Sequence, residues 1–421
     1  MLLEPTKLYG TPNSPEGYNL RDFLMRSGIP FEWHNLRTDK EAQVLLGVHS
    51  LSDERLPVCI LKKGSILFNP SLQEVAQALD WFKDPKHRYY DLAIYGAGPA
   101  GLSAAVYGAS EGLRTIVIER RAVGGQAGST SRIENYLGFP RGISGWELAS
   151  RARQQAQRLG AEIIVTDEGV DGEARDGWMI SRLASGPEIF ARSTICATGV
   201  AYTRLGLSNE EKYLGRGLYY GAGSSEASQC TDHVFVIGSG NSAGQAAVHF
   251  AQFAKKVSML VRGVSLKDTL SAYLVDQIAQ RENIEVHLRS ELTDLHGSDC
   301  LHAITVRNLD SGEHWKACTE QVFVCIGGTP QTQWAKQANL CTDKAGYIVT
   351  GEDLDDGALA RSVWTRKTRP LHMETSIPGL FAAGDVRHGS VKRCATAVGE
   401  GATAVSMVHQ FLALNPVPKP R

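Results

Sequence analysis

Apolar residues recur along this chain with two periods, and the switches between them mark its elements. Lys7–Tyr9 reads as a short strand, and Tyr18–Met25 places Leu20, Phe23 and Leu24 on one helical face. Phe31–Leu36 alternates as a strand does. Leu56–Leu61 and Ser65–Phe68 are two further strands, followed by a helix from Ser71, its N-cap, to Trp81. The order over residues 1–84 is β-α-β-α-β-β-α. A charged linker, Trp81–Tyr89, contains Pro85 and separates this module from the rest.

Beyond the linker, apolar strands run straight into glycine turns. Strand Asp91–Tyr95 enters Gly96-Ala97-Gly98-Pro99-Ala100-Gly101, a helix runs to about Glu111, and strand Thr115–Ile118 ends at Glu119. This is G-x-G-x-x-G in the strand–turn–helix setting that binds a dinucleotide. Gly96 permits the tight turn, Gly98 lets backbone approach a pyrophosphate, and Gly101 lets helix pack close to strand. The helix N-terminus offers unpaired N–H groups to phosphate, and Glu119 can accept both ribose hydroxyls.

The pattern repeats once. Strand Val234–Ile237 leads into Gly238-Ser239-Gly240-Asn241-Ser242-Ala243, a helix through Phe253, and strand Lys256–Val261 ending at Arg262. No carboxylate follows this second strand; Arg262 stands there, with Lys267 five residues on. Gly240–Gly244 also spells the G-x-S-x-G of a serine hydrolase elbow. Gly238 and Ala243 complete the dinucleotide fingerprint, and the chain has no HGGG loop to serve as an oxyanion hole, so the hydrolase reading is set aside.

Composition narrows the class further. The 421 residues carry 44 Lys+Arg against 45 Asp+Glu, a formal net charge of −1, with 43% hydrophobic residues. No single-sign field would steer a nucleic acid or an anionic membrane surface. The N-terminus has no basic stretch followed by an apolar run. The uncharged stretch Leu92–Ser110 is broken by four glycines and Pro99, so it suits a turn rather than a lipid-facing helix. The expectation is a soluble, cytoplasmic protein with no membrane or nucleic-acid partner. The eight cysteines form no C-x-x-C pair, which argues for reduced thiols and against a disulfide framework or a structural metal.

Four later stretches add a resemblance: Gly124-Gly125-Gln126, Ile133-Glu134-Asn135-Tyr136, Ala197-Thr198-Gly199 and Gly379–Asp385. With the two glycine turns they resemble the bacterial low-molecular-weight thioredoxin reductases over residues 88–412. The resemblance implies FAD at the first turn, held by Gly96, Gly98, Pro99, Ala100, Glu119, Arg120, Gly125, Gln126, Asn135, Thr198, Gly199, Gly384, Asp385 and the segment Lys392-Arg393-Cys394. It implies NADPH at the second, held by Gly238, Gly240, Asn241, Ser242 and Ala243, with Arg262 and Lys267 at the 2′-phosphate. The 1–84 module resembles the thioredoxin/glutaredoxin fold, with Pro57 at that fold's cis-proline position.

Both resemblances expose a gap. The module has Thr11-Pro12-Asn13-Ser14 where its relatives carry C-P-x-C, and Gly221-Ala222-Gly223-Ser224 falls where the reductases carry their redox pair. Hydroxyls and glycines cannot exchange disulfides. The expected catalytic residues are therefore none, with Gly221 and Ser224 on the vacated positions, and cysteines restored at both are expected to recover some disulfide reduction.

The expected fold is α/β, with two Rossmann-like domains plus an N-terminal thioredoxin-like α/β domain. Its parts are 1–84 (inert module), 88–201 and 324–414 (FAD domain), and 202–323 (NADP domain inserted between those halves). A polar insertion, Glu352–Arg369, lies in the last part. The expected function is an NADPH-dependent flavoprotein oxidoreductase, a homodimer, that passes electrons from FAD directly to an unidentified acceptor. The alternatives are a ferredoxin or flavodoxin reductase-like enzyme and a flavin-bearing redox sensor or adaptor.

Overall fold

The chain's structure is a computed structural model that describes residues 5–62, 64–79, 81, 84–221, 223–364 and 366–416. It forms two compact units. One comprises residues 1–75, 129–133 and 202–328; the other comprises 76–128, 134–201 and 329–421.

In the first unit, strand β1 (Thr6–Gly10) leads to helix α1 (Pro15–Arg26). α1 starts where Ser14 Oγ accepts the Gly17 amide at 3.0 Å and Pro15 takes the first helical position. It turns Leu20, Phe23 and Leu24 inward, the face its spacing predicts. Strand β2 (Phe31–Asn35) and helix α2 (Lys40–Leu46) follow, the helix capped by Asp39 and closed by Gly47 at φ 60°. Then come β3 (Val58–Ile60), β4 (Ile66–Phe68) and helix α3 (Leu72–Ala78), in the predicted order.

The sheet order is β2-β1-β3-β4, with only β1 and β2 parallel, and the Leu56–Pro57 bond is cis. α3 stops short of Trp81 because the Trp81 amide turns back onto the Ala76 carbonyl at 2.8 Å, a bond that closes a helix.

The same unit holds a five-stranded parallel sheet in the order Leu218–Tyr220, Gln321–Val324, His233–Ile237, Lys256–Val261, Ile284–Leu288. Its inner strands, Val234–Ile237 and Val257–Val261 above all, are buried on both faces, whereas the edge strand Ile284–Leu288 is partly exposed and carries Glu285 and His287. The helix after His233–Ile237 spans Asn241–Phe250 and ends three residues before the predicted Phe253, where the amides of Phe253 and Ala254 both return to the Phe250 carbonyl. A three-stranded antiparallel sheet, Ser290–His296, Ala303–Asn308 and His314–Cys318, completes the unit.

The second unit is built on a seven-stranded sheet around β5 (Tyr89–Tyr95). β5 runs into helix α4 (Pro99–Ser110), which leads to strand β6 (Thr115–Glu119). Strand Glu188–Cys196 lies on the other side of β5, and its end pairs in parallel with the late strand Leu380–Ala382. That pairing carries the Gly379–Asp385 stretch to the sheet that presents the first glycine turn. No helix among the described residues is long and apolar enough to cross a membrane.

Candidate functional site

The first glycine turn is shaped so that side chains cannot enter it. Gly96 has φ 103°, and a Cβ there would sit 2.4 Å from the Ala197 carbonyl oxygen. A Cβ on Gly101 would lie 1.8 Å from the Gly96 carbonyl oxygen, so only glycine lets α4 approach β5 this closely. Gly98 is the N-cap of α4 and Pro99 its first residue, and no side chain caps the helix. The first-turn N–H groups around Ala100 are left for an anion. At the end of β6, Glu119 accepts the Ala97 amide at 2.8 Å and the Arg121 amide at 2.8 Å, which fixes its carboxylate beside the turn. Arg120 points elsewhere, into an exposed pairing with Glu168 at 3.9 Å.

Residues from distant segments gather at the same helix. Gly384 (φ 78°) would place a Cβ 2.9 Å from Ala100 Cβ, and Gly401 would place one 2.1 Å from the Ala100 carbonyl oxygen. The C-terminal helix Cys394–Leu414 can therefore lie against α4 only because position 401 is glycine. Glu400 holds the junction: its carboxylate accepts the Gly384 amide at 2.7 Å and two bonds from Arg387, at 3.2 and 2.9 Å. Sequence reasoning missed this pair, because neither residue belongs to a glycine motif.

Burial pushes the Asp385 carboxyl above its usual range, against the opposing effect of Lys392. Lys392 Nζ donates to the Asp385 carbonyl at 2.9 Å and lies 4.2 Å from the Tyr347 ring centroid. Arg393 is the N-cap of the C-terminal helix and makes no side-chain cap bond. Cys394 opens that helix, and burial pushes its thiol up to about 11, so it stays protonated. Gly125, at φ 55°, starts a short helix against Gly98, and Gln126 Nε2 donates to the Val200 carbonyl at 2.8 Å. Gly199 takes φ 63°, while Thr198 and Asn135 are exposed. A cradle lined by glycines, with free helix amides and a fixed carboxylate at its strand end, fits a dinucleotide pyrophosphate and ribose.

The second turn repeats the design in the first unit. Gly238 takes φ 133°, and a Cβ there would meet the Cys325 carbonyl oxygen at 2.3 Å. Gly240 caps the Asn241–Phe250 helix without a side-chain bond, Ala243 is buried, and Ser242 is exposed. Asn241 Oδ1 accepts the Ser271 amide at 2.8 Å, and Thr269 Oγ1 donates to the Ser239 carbonyl at 2.6 Å. Those bonds tie the 263–271 segment to the turn, a role for Asn241 that spacing alone did not reveal. Arg262 and Lys267 are exposed and carry no ion pair among the described residues.

The 221–224 turn is filled. Gly221 has φ 95°, and a Cβ there would lie 2.4 Å from Tyr202 Oη and 2.5 Å from its Cζ. Gly223 has φ 54°, and its Cβ would fall 2.1 Å from Phe323 Cε1. Tyr202 is half-buried, the loss of water around it raises its phenol pKa, and its Oη lies 3.4 Å from Ser129 Oγ. Ala222 and the Ser224 side chain lie outside the described residues. A cysteine at 221 would meet both a left-handed backbone and the tip of the Tyr202 ring, so recovery of disulfide reduction by cysteines at 221 and 224 requires that ring to move. All eight native cysteines are free, and Cys230 is buried at the end of the 3-10 turn Ser224–Gln229.

The family model of the pyridine nucleotide-disulphide oxidoreductases matches residues 90–401. The chain belongs to this family. Thioredoxin reductases of Peptoclostridium acidaminophilum and Treponema pallidum are each 32% identical to it, over 333 and 326 residues, 77% of this chain and 98% and 97% of theirs. The crystal structure of Lactococcus lactis thioredoxin reductase covers 77% of this chain and 100% of its own, at 29% identity and TM-score 0.68. The T. acidophilum thioredoxin reductase structure gives 78%, 100%, 28% and 0.69. Thioredoxin reductases are NAD(P)H-dependent flavoprotein oxidoreductases that use FAD and NADPH. Residues 1–89 lie outside the matched family model.

Proposed function

We propose that this chain is an NADPH-dependent FAD oxidoreductase that delivers electrons to an acceptor without a protein disulfide. The observation that carries the reading is the filled turn: Tyr202 and Phe323 occupy the space that side chains at 221 and 223 would need. Two further facts support it. No two cysteines stand three residues apart anywhere in the sequence, and all eight are free thiols. A dithiol relay needs a thiolate and a neighbouring sulfur.

Bound FAD would supply two-electron chemistry between a reduced nicotinamide and the acceptor. The chain's own residues then bind and orient. In this reading the α4 N-terminus and Gly98 hold the flavin pyrophosphate, Glu119 the adenosine ribose, Asp385 the ribityl chain, and Gln126, Asn135 and the 392–394 segment the ring. The Asn241–Phe250 helix holds the NADPH pyrophosphate, with Arg262 and Lys267 at the 2′-phosphate. The domains are 88–201 with 324–414 for FAD and 202–323 for NADPH; 1–84 is a thioredoxin-like module without redox cysteines, and the assembly is a homodimer.

The test is NADPH oxidation by the FAD-loaded chain with different acceptors. With a benzoquinone or ferricyanide, turnover exceeds that with oxidised thioredoxin or an aromatic disulfide by about 100-fold or more. Comparable rates with thioredoxin would refute the reading.

A further inference from the structure

α1 is partly a core helix of the module and partly something else. Leu20, Phe23 and Leu24 are buried on one face, and Pro15, Tyr18 and Arg21 form a second stripe at helical spacing. That stripe lies on the 202–328 segment of the same compact unit. Pro15 Cα would sit 2.8 Å from a Cβ at Gly215, a close approach that glycine permits. The Tyr18 and Tyr219 rings are 5.0 Å apart, and Tyr219 stacks at 5.1 Å on Phe323, the residue that fills position 223. Arg21 forks onto Glu226, with Nε to Oε1 at 2.9 Å and Nη2 to Oε2 at 2.8 Å, each side chain 1% exposed. Its guanidinium also lies 4.2 Å from the Trp33 ring centroid and donates to the Pro12 carbonyl at 3.2 Å.

Glu226 belongs to the 3-10 turn Ser224–Gln229, which begins at the vacated cysteine position, and Gly221 and Gly223 just before it are buried. The module thus meets the segment that a thiol-exchanging protein would have to reach. We propose that residues 1–75 are a resident partner for this surface: the Arg21–Glu226 pair latches the module over residues 221–230 and shields them from any protein in solution. The functional meaning rests on placing the absent disulfide at 221–224, whereas the latch stands on its own contacts.

A buried pair is costly to break one-sidedly, because it strands a charge, yet an apolar pair of similar volume can replace it. Hydrogen exchange on the FAD-loaded full chain separates these cases. Arg21→Ala and Glu226→Gln each speed exchange of the 224–230 amides by about tenfold or more, leaving the strand Val234–Ile237 unchanged. Arg21→Met with Glu226→Leu stays near the wild-type rate. The latch is overturned by unchanged exchange in the single variants, by acceleration that spreads into Val234–Ile237, or by a double variant as fast as the singles. None of these outcomes depends on which acceptor takes the electrons.

Discussion

Gly96, Gly98, Gly101 and Glu119 were legible in the sequence because each obeys a local constraint: a backbone angle, a close approach, a carboxylate at a strand end. Tyr202 was not, since what matters is that its ring stands where a side chain at Gly221 would be, and nothing in the spacing of the two residues says so. Asp385 makes a prediction at this scale. Burial raises its carboxyl pKa, so between the ordinary carboxylate range and the raised value the folded chain keeps a proton the unfolded chain has lost. Stability must therefore fall as pH rises through that window. In the flavin-free chain, Asp385→Asn removes this fall, so in thermal unfolding scans the variant gains on wild type as the pH rises from the ordinary carboxylate range, about pH 4, toward neutrality. A constant difference across that range would contradict the assignment.

Among the elements, β5, α4, β6 and Lys256–Val261 follow their hydrophobic periods closely, because each is an apolar strand or helix ended by a glycine turn or a charge. The ends of α3 and of Asn241–Phe250 were misplaced by three residues, since backbone bonds that close a helix leave no mark on the apolar pattern. The packing of α4 on the C-terminal helix was half legible: Gly384 lay in a motif, whereas Gly401, Glu400 and Arg387 did not. Glu400→Gln leaves the half-buried Arg387 without its charge partner and weakens the bond to the Gly384 amide. We expect a loss of about 3 kcal/mol in urea unfolding, near the lower end for breaking a buried pair, together with release of flavin on gel filtration. Retention of both stability and flavin would show that the junction is held by packing alone.

At the scale of the whole molecule, the late strand Leu380–Ala382 joins the seven-stranded sheet that carries the first glycine turn, by pairing with the end of Glu188–Cys196. The joint between the 1–75 module and the 202–328 segment had no such signal, because Arg21 and Glu226 are separated by 205 positions and neither lies in a motif. The exposed Arg262 carries a prediction about cofactor choice. Arg262→Ala raises KM for NADPH by about tenfold, the loss of one charge-assisted contact, with KM for NADH unchanged. An equal rise for both cofactors would place Arg262 away from the 2′-phosphate.

A direct electron path from the flavin requires that no sulfur pair share its electrons. Anaerobic titration of the FAD-loaded chain with NADPH counts those electrons directly. It should end at about two electrons per FAD. Uptake of about four would reveal a second two-electron centre and contradict the proposal.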